Sequence, residues 1–277
     1  MPIQRRALVN TTMVVAAIIS VQVGGAFAKT TFDEIGASGM TFLRLGFAAI
    51  VLCAIGRPTL HGRSRRDWLL TAAFGALMAV LCLASYAAVD HLAIGLVVTL
   101  QLLGPLTLAV VTSRRVREFA WTGVALAGVV LLGQTGSHID PLGVLFALIG
   151  GASWVGYILL SAETGKRTAG VDGLALAISA AALITAPIGI AGAGTALLRP
   201  HILFVGFGVA MMTSVINFGL ELIALREMRP RTFGVLMSLS PAMAALSGFV
   251  VLGQRLELLQ IVAIGLVIAA SAGTVTD

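Results

Sequence analysis

Long apolar stretches alternate along the chain with short polar runs, and the apolar stretches share one characteristic length. Ten of them, of about 17–23 residues, cover 8–28, 37–56, 68–88, 92–112, 118–134, 141–161, 171–191, 200–222, 232–252 and 257–275. That is the length a helix needs to cross a hydrocarbon core. The connections are short and leave no room for a soluble catalytic or nucleotide-binding domain. The pattern predicts an all-α integral membrane protein of ten transmembrane helices.

The ten stretches read as one plan written twice. The run GLVVTLQLLGPLTLAVVTSRR around Pro105 has its counterpart in TFGVLMSLSPAMAALSGFVVLGQ around Pro241, each an apolar segment interrupted near its middle by proline. Gly36 and Gly39 match Gly170 and Gly173, Phe74-Gly75 match Phe207-Gly208, and Gly128 matches Gly265. A three-residue insertion around Arg229-Pro230-Arg231 keeps the prolines in register, and the boundary falls in the loop 135–140. The expected units are therefore a first five-helix repeat, 1–136, and a second, 137–277. Repeats also build arrays that only bind. An odd number of spans per copy, however, turns the second copy upside down, and two inverted halves with matching interrupted helices mark a secondary transporter.

Composition agrees with a membrane assignment: apolar residues make up 58% of the chain, charged residues 11%, and the mean hydropathy is +1.02. The net charge of +6 is a matter of topology rather than of nucleic-acid binding. With the amino terminus in the cytoplasm, fourteen Lys and Arg fall on that side. Only Lys29, Arg199 and Arg255 fall outside, and Arg44 lies within a span. This positive-inside bias puts both termini in the cytoplasm. The first 28 residues have features of a cleavable signal, with Arg5-Arg6 and Ala26-Phe27-Ala28. The apolar run is too long for that, and its internal counterpart cannot be cleaved, so it is read as a retained span. No Walker-type GxxxxGK[ST] occurs. Cys53 and Cys82 have no metal-ligand or disulfide spacing, so neither metal nor cofactor is expected.

The polar residues inside the spans are the candidates for chemistry. A proline within a helix frees the carbonyl four residues earlier, Gln101 for Pro105 and Met237 for Pro241, and a freed carbonyl needs protein, water or ligand. A simple kink is the alternative for one proline; two at corresponding positions favour a binding site. Gln101 and Gln22 either line a cavity or hydrogen-bond between helices, the latter commonly worth only about 0.6 kcal/mol. Ala210, Ser214, Asn217 and Glu221 form one polar face of the eighth span; Asn217 is the deeper candidate, whereas Glu221 reads as wet or paired. Trp154 and Tyr157 make a similar stripe in the sixth span, either as interface anchors or as an aromatic wall. Arg44 is a counter-charge for a substrate carboxylate, or a structural arginine bonded to backbone carbonyls, or one that snorkels. Tyr86 and Ser240 complete the cavity candidates, and Met211, Met212 and Met237 offer adaptable apolar contacts. Gly265, Ala269 and Gly273 have small-xxx-small spacing suited to helix packing or dimerisation, leaving monomer and homodimer both open.

RTFGVLMSLSPAMAALSG, with ELIAL upstream, resembles the EamA-type members of the drug/metabolite transporter superfamily. SVQVGGAFAK, TFLRL, LQLLGP and GGASWVGYILLS extend the likeness over the whole chain, nearest to the bacterial threonine/homoserine and aromatic amino-acid exporter groups. The resemblance implies ten helices in two inverted repeats around a central cavity and export of amino acids or related metabolites across the bacterial inner membrane. It implies matches for Arg44, Pro105, Pro241 and Trp154 in the family pattern. Where the exporter pattern has glutamates beside its prolines, this chain has Gln101 and Ser240. A neutral side chain takes up no proton near neutral pH. These positions therefore argue against proton coupling through them and for another charge preference or uncoupled facilitation.

The rival classes are weaker. A lipophilic-cation or drug exporter needs a buried acid, and no Asp or Glu stands mid-span. An intramembrane enzyme needs an activated nucleophile, and His61, His91, His138 and His201 all fall in or beside loops.

Overall fold

The computed structural model describes residues 3–112, 121, 123–125, 127–128, 131, 139–165, 171–217, 219–220 and 236–276. Most of the fifth predicted span lies outside the described residues. So do the greater part of the boundary loop, the insertion at Arg229-Pro230-Arg231, and Gly170, His138 and Glu221. Among the described residues the regular elements are all helical. They are α1 (Ile3–Lys29), α2 (Phe32–Gly56), α3 (Arg65–His91), α4 (Ile94–Thr112), α5 (Pro141–Gly165), α6 (Asp172–Ala193), a 3₁₀ turn (Gly194–Leu198), α7 (Pro200–Ala210), a π-helical segment (Met211–Ile216), α8 (Ser240–Leu252) and α9 (Leu258–Thr276). Among the described residues, five helical stretches are long and apolar enough to cross a membrane: Leu8–Lys29, Phe32–Gly56, Arg65–His91, Pro141–Ser161 and Asp172–Leu198. Ile94–Leu108, Pro200–Ile216, Ser240–Leu252 and Leu258–Ala270 are shorter apolar helices.

Helices from the first part of the chain pack chiefly on helices from the second. The most extensive contact joins α2 to α6; α3 packs on α5 and α6, α4 on α5 and α8, and α1 on α7, the π segment and α8. Small residues permit these approaches, because association within a bilayer depends on van der Waals packing rather than on hydrophobic exclusion. α2 and α6 run antiparallel: Gly39 near the start of α2 faces Ala193 at the end of α6, and Gly56 at the end of α2 faces Val171 at the start of α6. The start of α4 meets α8 and the residues just after it: the Ile94 N–H donates to Gln254 Oε1 at 3.2 Å and Gly95 lies against Ala245. Large side chains such as Phe204, Leu258 and Leu183 remain on the outer surface, as expected where the surroundings are acyl chains.

One end of the bundle, which the charge count assigns to the outside, is tied by ion pairs. Lys29 pairs with Asp90, His91 Nδ1 lies 2.7 Å from Asp140, and Glu34 accepts from Arg199 at 2.7 Å with His201 at 3.0 Å. The end of α3 thus meets both the end of α1 and the start of α5. Beside Glu34, α2 is interrupted at Gly36, whose φ of 65° and ψ of 169° suit only a residue without Cβ.

The two prolines differ in setting. Pro105 stands inside continuous α4, whereas Pro241 occupies the first turn of α8, just after a turn at Ser238 and Leu239. Proline fits a first turn, where its missing N–H has no partner to lose. The ninth predicted span is therefore broken outright ahead of Pro241. At Pro105 the carbonyl of Gln101 is covered by α5: a Cβ at Gly151 would stand 2.9 Å from that oxygen.

Candidate functional site

Two groups of described polar side chains within the spans stand out, and one gathers around the π segment. A π turn carries i→i+5 bonds and one residue more than α-helix needs, so its backbone groups are displaced from the usual ladder; such turns cluster at functional sites. Two carbonyls here accept side-chain donors. Ser20 Oγ donates to Met212 O at 2.8 Å, and Arg44 Nη2 to Thr213 O at 3.4 Å. α1 comes this close because residue 24 is glycine; a Cβ there would lie 2.6 Å from Thr213 Cγ2 and 2.9 Å from Met212 Cβ.

Arg44 reaches the segment from α2. Its Nε donates to Ser214 Oγ at 3.2 Å, and its Cζ sits 5.4 Å from the centroid of the Tyr86 ring on α3. A cation over an aromatic face is held by the ring quadrupole. Tyr86 in turn packs against Phe32, the ring centroids 5.6 Å apart. Among the described residues, Arg44 has no carboxylate partner. Its contacts are a hydroxyl, a carbonyl and a ring, all neutral, and a guanidinium with five donors keeps three N–H groups unused.

Several polar atoms of the spans are buried without partners. Tyr86 OH, Asn217 Oδ1 and Ser240 Oγ are buried and make no hydrogen bond among the described residues. Asn217 caps the π segment, its N–H bonded to Ser214 O. Gln22, two residues beyond Ser20 on α1, is buried as well. Met237 is partly buried on the other flank of α1, packed with Met13, Leu236 and Met243 around Val14 and Ile18; Ser240 and Pro241 follow it, both buried.

The second group lies where α3, α4 and α5 meet. Gln101 Nε2 donates to Ser85 Oγ at 2.8 Å, and Ser85 Oγ donates to Leu81 O at 2.6 Å. The Gln101 side chain rests on Gly150. Gln101 thus makes an interhelical bond, one of its two expected uses. Pro105 is half-buried one turn on, and Trp154 is half-buried on α5. Tyr157 packs on Phe74 of α3 with ring centroids 5.5 Å apart. Consecutive Ser85 and Tyr86 on α3 link the two groups, one bonded to Gln101 and the other lying under Arg44. No cluster of His, Cys, Asp and Glu among the described residues is able to hold a metal ion.

Sequence reasoning did not single out Ser20, Thr213 or Ser85. The polar stripe on the eighth span pointed to the right helix, yet its i, i+4, i+7 count assumes α-helical spacing, which the π segment breaks. A π turn leaves no mark in hydropathy.

These features define a multi-pass helical membrane protein with a polar site between helices from both parts of its chain. Residues 141–276 match the EamA-like transporter family. The threonine/homoserine exporter RhtA of Escherichia coli strain K12 is 36% identical over 269 residues, covering 95% of this chain and 90% of that protein. RhtA of Salmonella typhimurium strain LT2 is 37% identical over 265 residues, covering 93% and 88%. The chain belongs to the EamA-like transporter family, within the drug/metabolite transporter superfamily. A crystal structure of a protein 18% identical in sequence shares the fold, with a TM-score of 0.63 over 96% of this chain and 97% of its own.

Proposed function

We propose that this protein is a secondary carrier that exports amino acids, threonine and homoserine foremost, from the cytoplasm across a bacterial inner membrane by alternating access. Arg44 carries the reading. A cation among neutral partners inside the bilayer is expensive, about 2.5–3.5 kcal/mol at mid-depth on insertion scales. It persists most readily where an anionic group completes it in use, and the carboxylate of an amino acid is such a group. The names of the relatives point to the same substrates.

The carrier works as two inverted five-helix halves, 1–136 and 137–277, with both termini cytoplasmic. Support comes from direction: α2 and α6, expected counterparts, run antiparallel. Arg44 and Tyr86 come from one half, and Ser214 and Asn217 from the other, so relative motion of the halves opens and closes the site. Gln22, Trp154, Tyr157, Met237, Ser240 and Pro241 line the path, with Gln101 and Pro105 bracing α4 beside it. Neutral Gln101 and Ser240 favour movement down the substrate gradient without a coupled proton.

The test is counterflow of labelled threonine in proteoliposomes, with and without a pH gradient. Saturable threonine counterflow indifferent to the gradient is expected; protein that moves no amino acid would defeat the proposal.

A further inference from the structure

The side chains around the π segment sort by hydrogen-bond character. Arg44 presents donors only. Its Nε is taken by Ser214 and one Nη2 hydrogen by Thr213 O, so the free donors lie at the Nη1–Nη2 end. The Tyr86 hydroxyl, 4% exposed, lies beside that guanidinium, outside hydrogen-bond geometry, with a proton to give. This half of the site suits an anion with two oxygens, met end-on.

Asn217 adds an acceptor, its amide oxygen. It is 6% exposed, follows Ser214 on the same element, and its Oδ1 is an acceptor with no donor among the described residues. Such an oxygen is costly to leave unmade, all the more where the surrounding lipid supplies no water. No carboxylate contacts Arg44 or Asn217 among the described residues, so a positive group bound here is met by a neutral carbonyl oxygen.

We infer that Asn217 selects for the α-ammonium group of the substrate. With the carboxylate end-on across the Arg44 guanidinium, the ammonium on the adjoining carbon donates to Asn217 Oδ1, and the zwitterionic head completes both halves together. This assignment rests on the amino-acid export reading and adds a division of labour to it. Arg44 and Tyr86 read the carboxylate, and Asn217 reads the ammonium. A site built around a donor rejects analogues that lack it, because its own buried group is then left unpaired.

The experiment is threonine counterflow in proteoliposomes, competed by unlabelled threonine or by 3-hydroxybutyrate, which is threonine without its ammonium group. Wild type is expected to favour threonine by about tenfold or more in half-inhibiting concentration. Asn217→Leu should weaken threonine while leaving 3-hydroxybutyrate nearly unchanged, bringing the ratio towards one. Asn217→Asp, nearly isosteric and a stronger acceptor, should widen the ratio, and it carries the test if the leucine variant fails to fold. A ratio unchanged in the folded variants, even with threonine transport falling in parallel, overturns the assignment alone. Wild-type protein that transports no amino acid overturns the export reading and this assignment together.

Discussion

Replacing Arg44 by glutamine separates what the guanidinium does for the fold from what it does for substrate. The structural bonds it makes are few and long, 3.2 Å to Ser214 and 3.4 Å to Thr213 O, both to neutral acceptors. With a charged donor but long distances, each stands near the weak end of the range of about 1.5–3 kcal/mol. Against that, removing a charge from the bilayer interior relieves about 2.5–3.5 kcal/mol at mid-depth. The two effects nearly cancel, so Arg44→Gln is expected to melt in detergent close to the wild-type temperature. Substrate binding, by contrast, should weaken. Hydrogen bonds to charged groups contribute about 1.5–3 kcal/mol, and 1.4 kcal/mol is tenfold, so the apparent affinity for threonine should fall about 10- to 150-fold. Arg44→Lys keeps the charge without the planar fork and should fall between. The assay is concentration-dependent threonine counterflow in proteoliposomes, with an amine lacking the carboxylate as a control competitor whose weak inhibition should not change. A folded Arg44→Gln protein whose threonine affinity stays within about twofold of wild type would refute the carboxylate role of this side chain.

Three further outcomes are expected. Gly24→Val should drive α1 off the π segment, because even a Cβ would stand 2.6 Å from Thr213 Cγ2; a loss of about 1–3 kcal/mol should appear as a lower melting temperature with reduced transport. Gln101→Glu should make threonine counterflow sensitive to an imposed pH gradient, and an indifferent variant would remove Gln101 from any account of coupling. At the tied end of the bundle, the Leu142 N–H, 2.9 Å from Oδ1, together with His91, holds the Asp140 carboxyl below the usual carboxylate range. A depressed carboxylate stabilises the fold above its unfolded value near 4 and loses that contribution as pH falls through its folded value. Asp140→Asn should accordingly melt lower than wild type at neutral pH, with the difference closing in strong acid.

Spans, being set by bilayer thickness, were largely legible in the sequence. Among the described residues five helices are long and apolar enough to cross a membrane and four expected stretches hold shorter apolar helices, the ninth broken ahead of Pro241; the fifth lies mostly outside the described residues. Arg44, Ser214 and Asn217 were legible as well, because polar side chains in apolar helices stand out. What hydropathy cannot carry is which helix faces which. Gln101 and Arg44 looked alike as lone polar residues, yet one is bonded to Ser85 while the other meets no charge among the described residues. The prolines misled in a similar way. Pro105 and Pro241 match in sequence, but local backbone context makes one an interior residue and the other the start of a helix.

The π segment also fixes a phase. Successive residues of an α-helix are about 100° apart around the axis, and a π turn holds one residue more than the α-helix it interrupts. Removing any one residue from Met211–Ile216 would relax the turn to ordinary helix and rotate everything beyond it by about that angle. A deletion between Ser214 and Asn217 swings Asn217 away from Ser214, and one ahead of Ser214 swings both away from α1 and α2, whose Ser20 and Arg44 meet the segment. The composition of this stretch is open to change, but its length is not: the site is kept in register by counting residues.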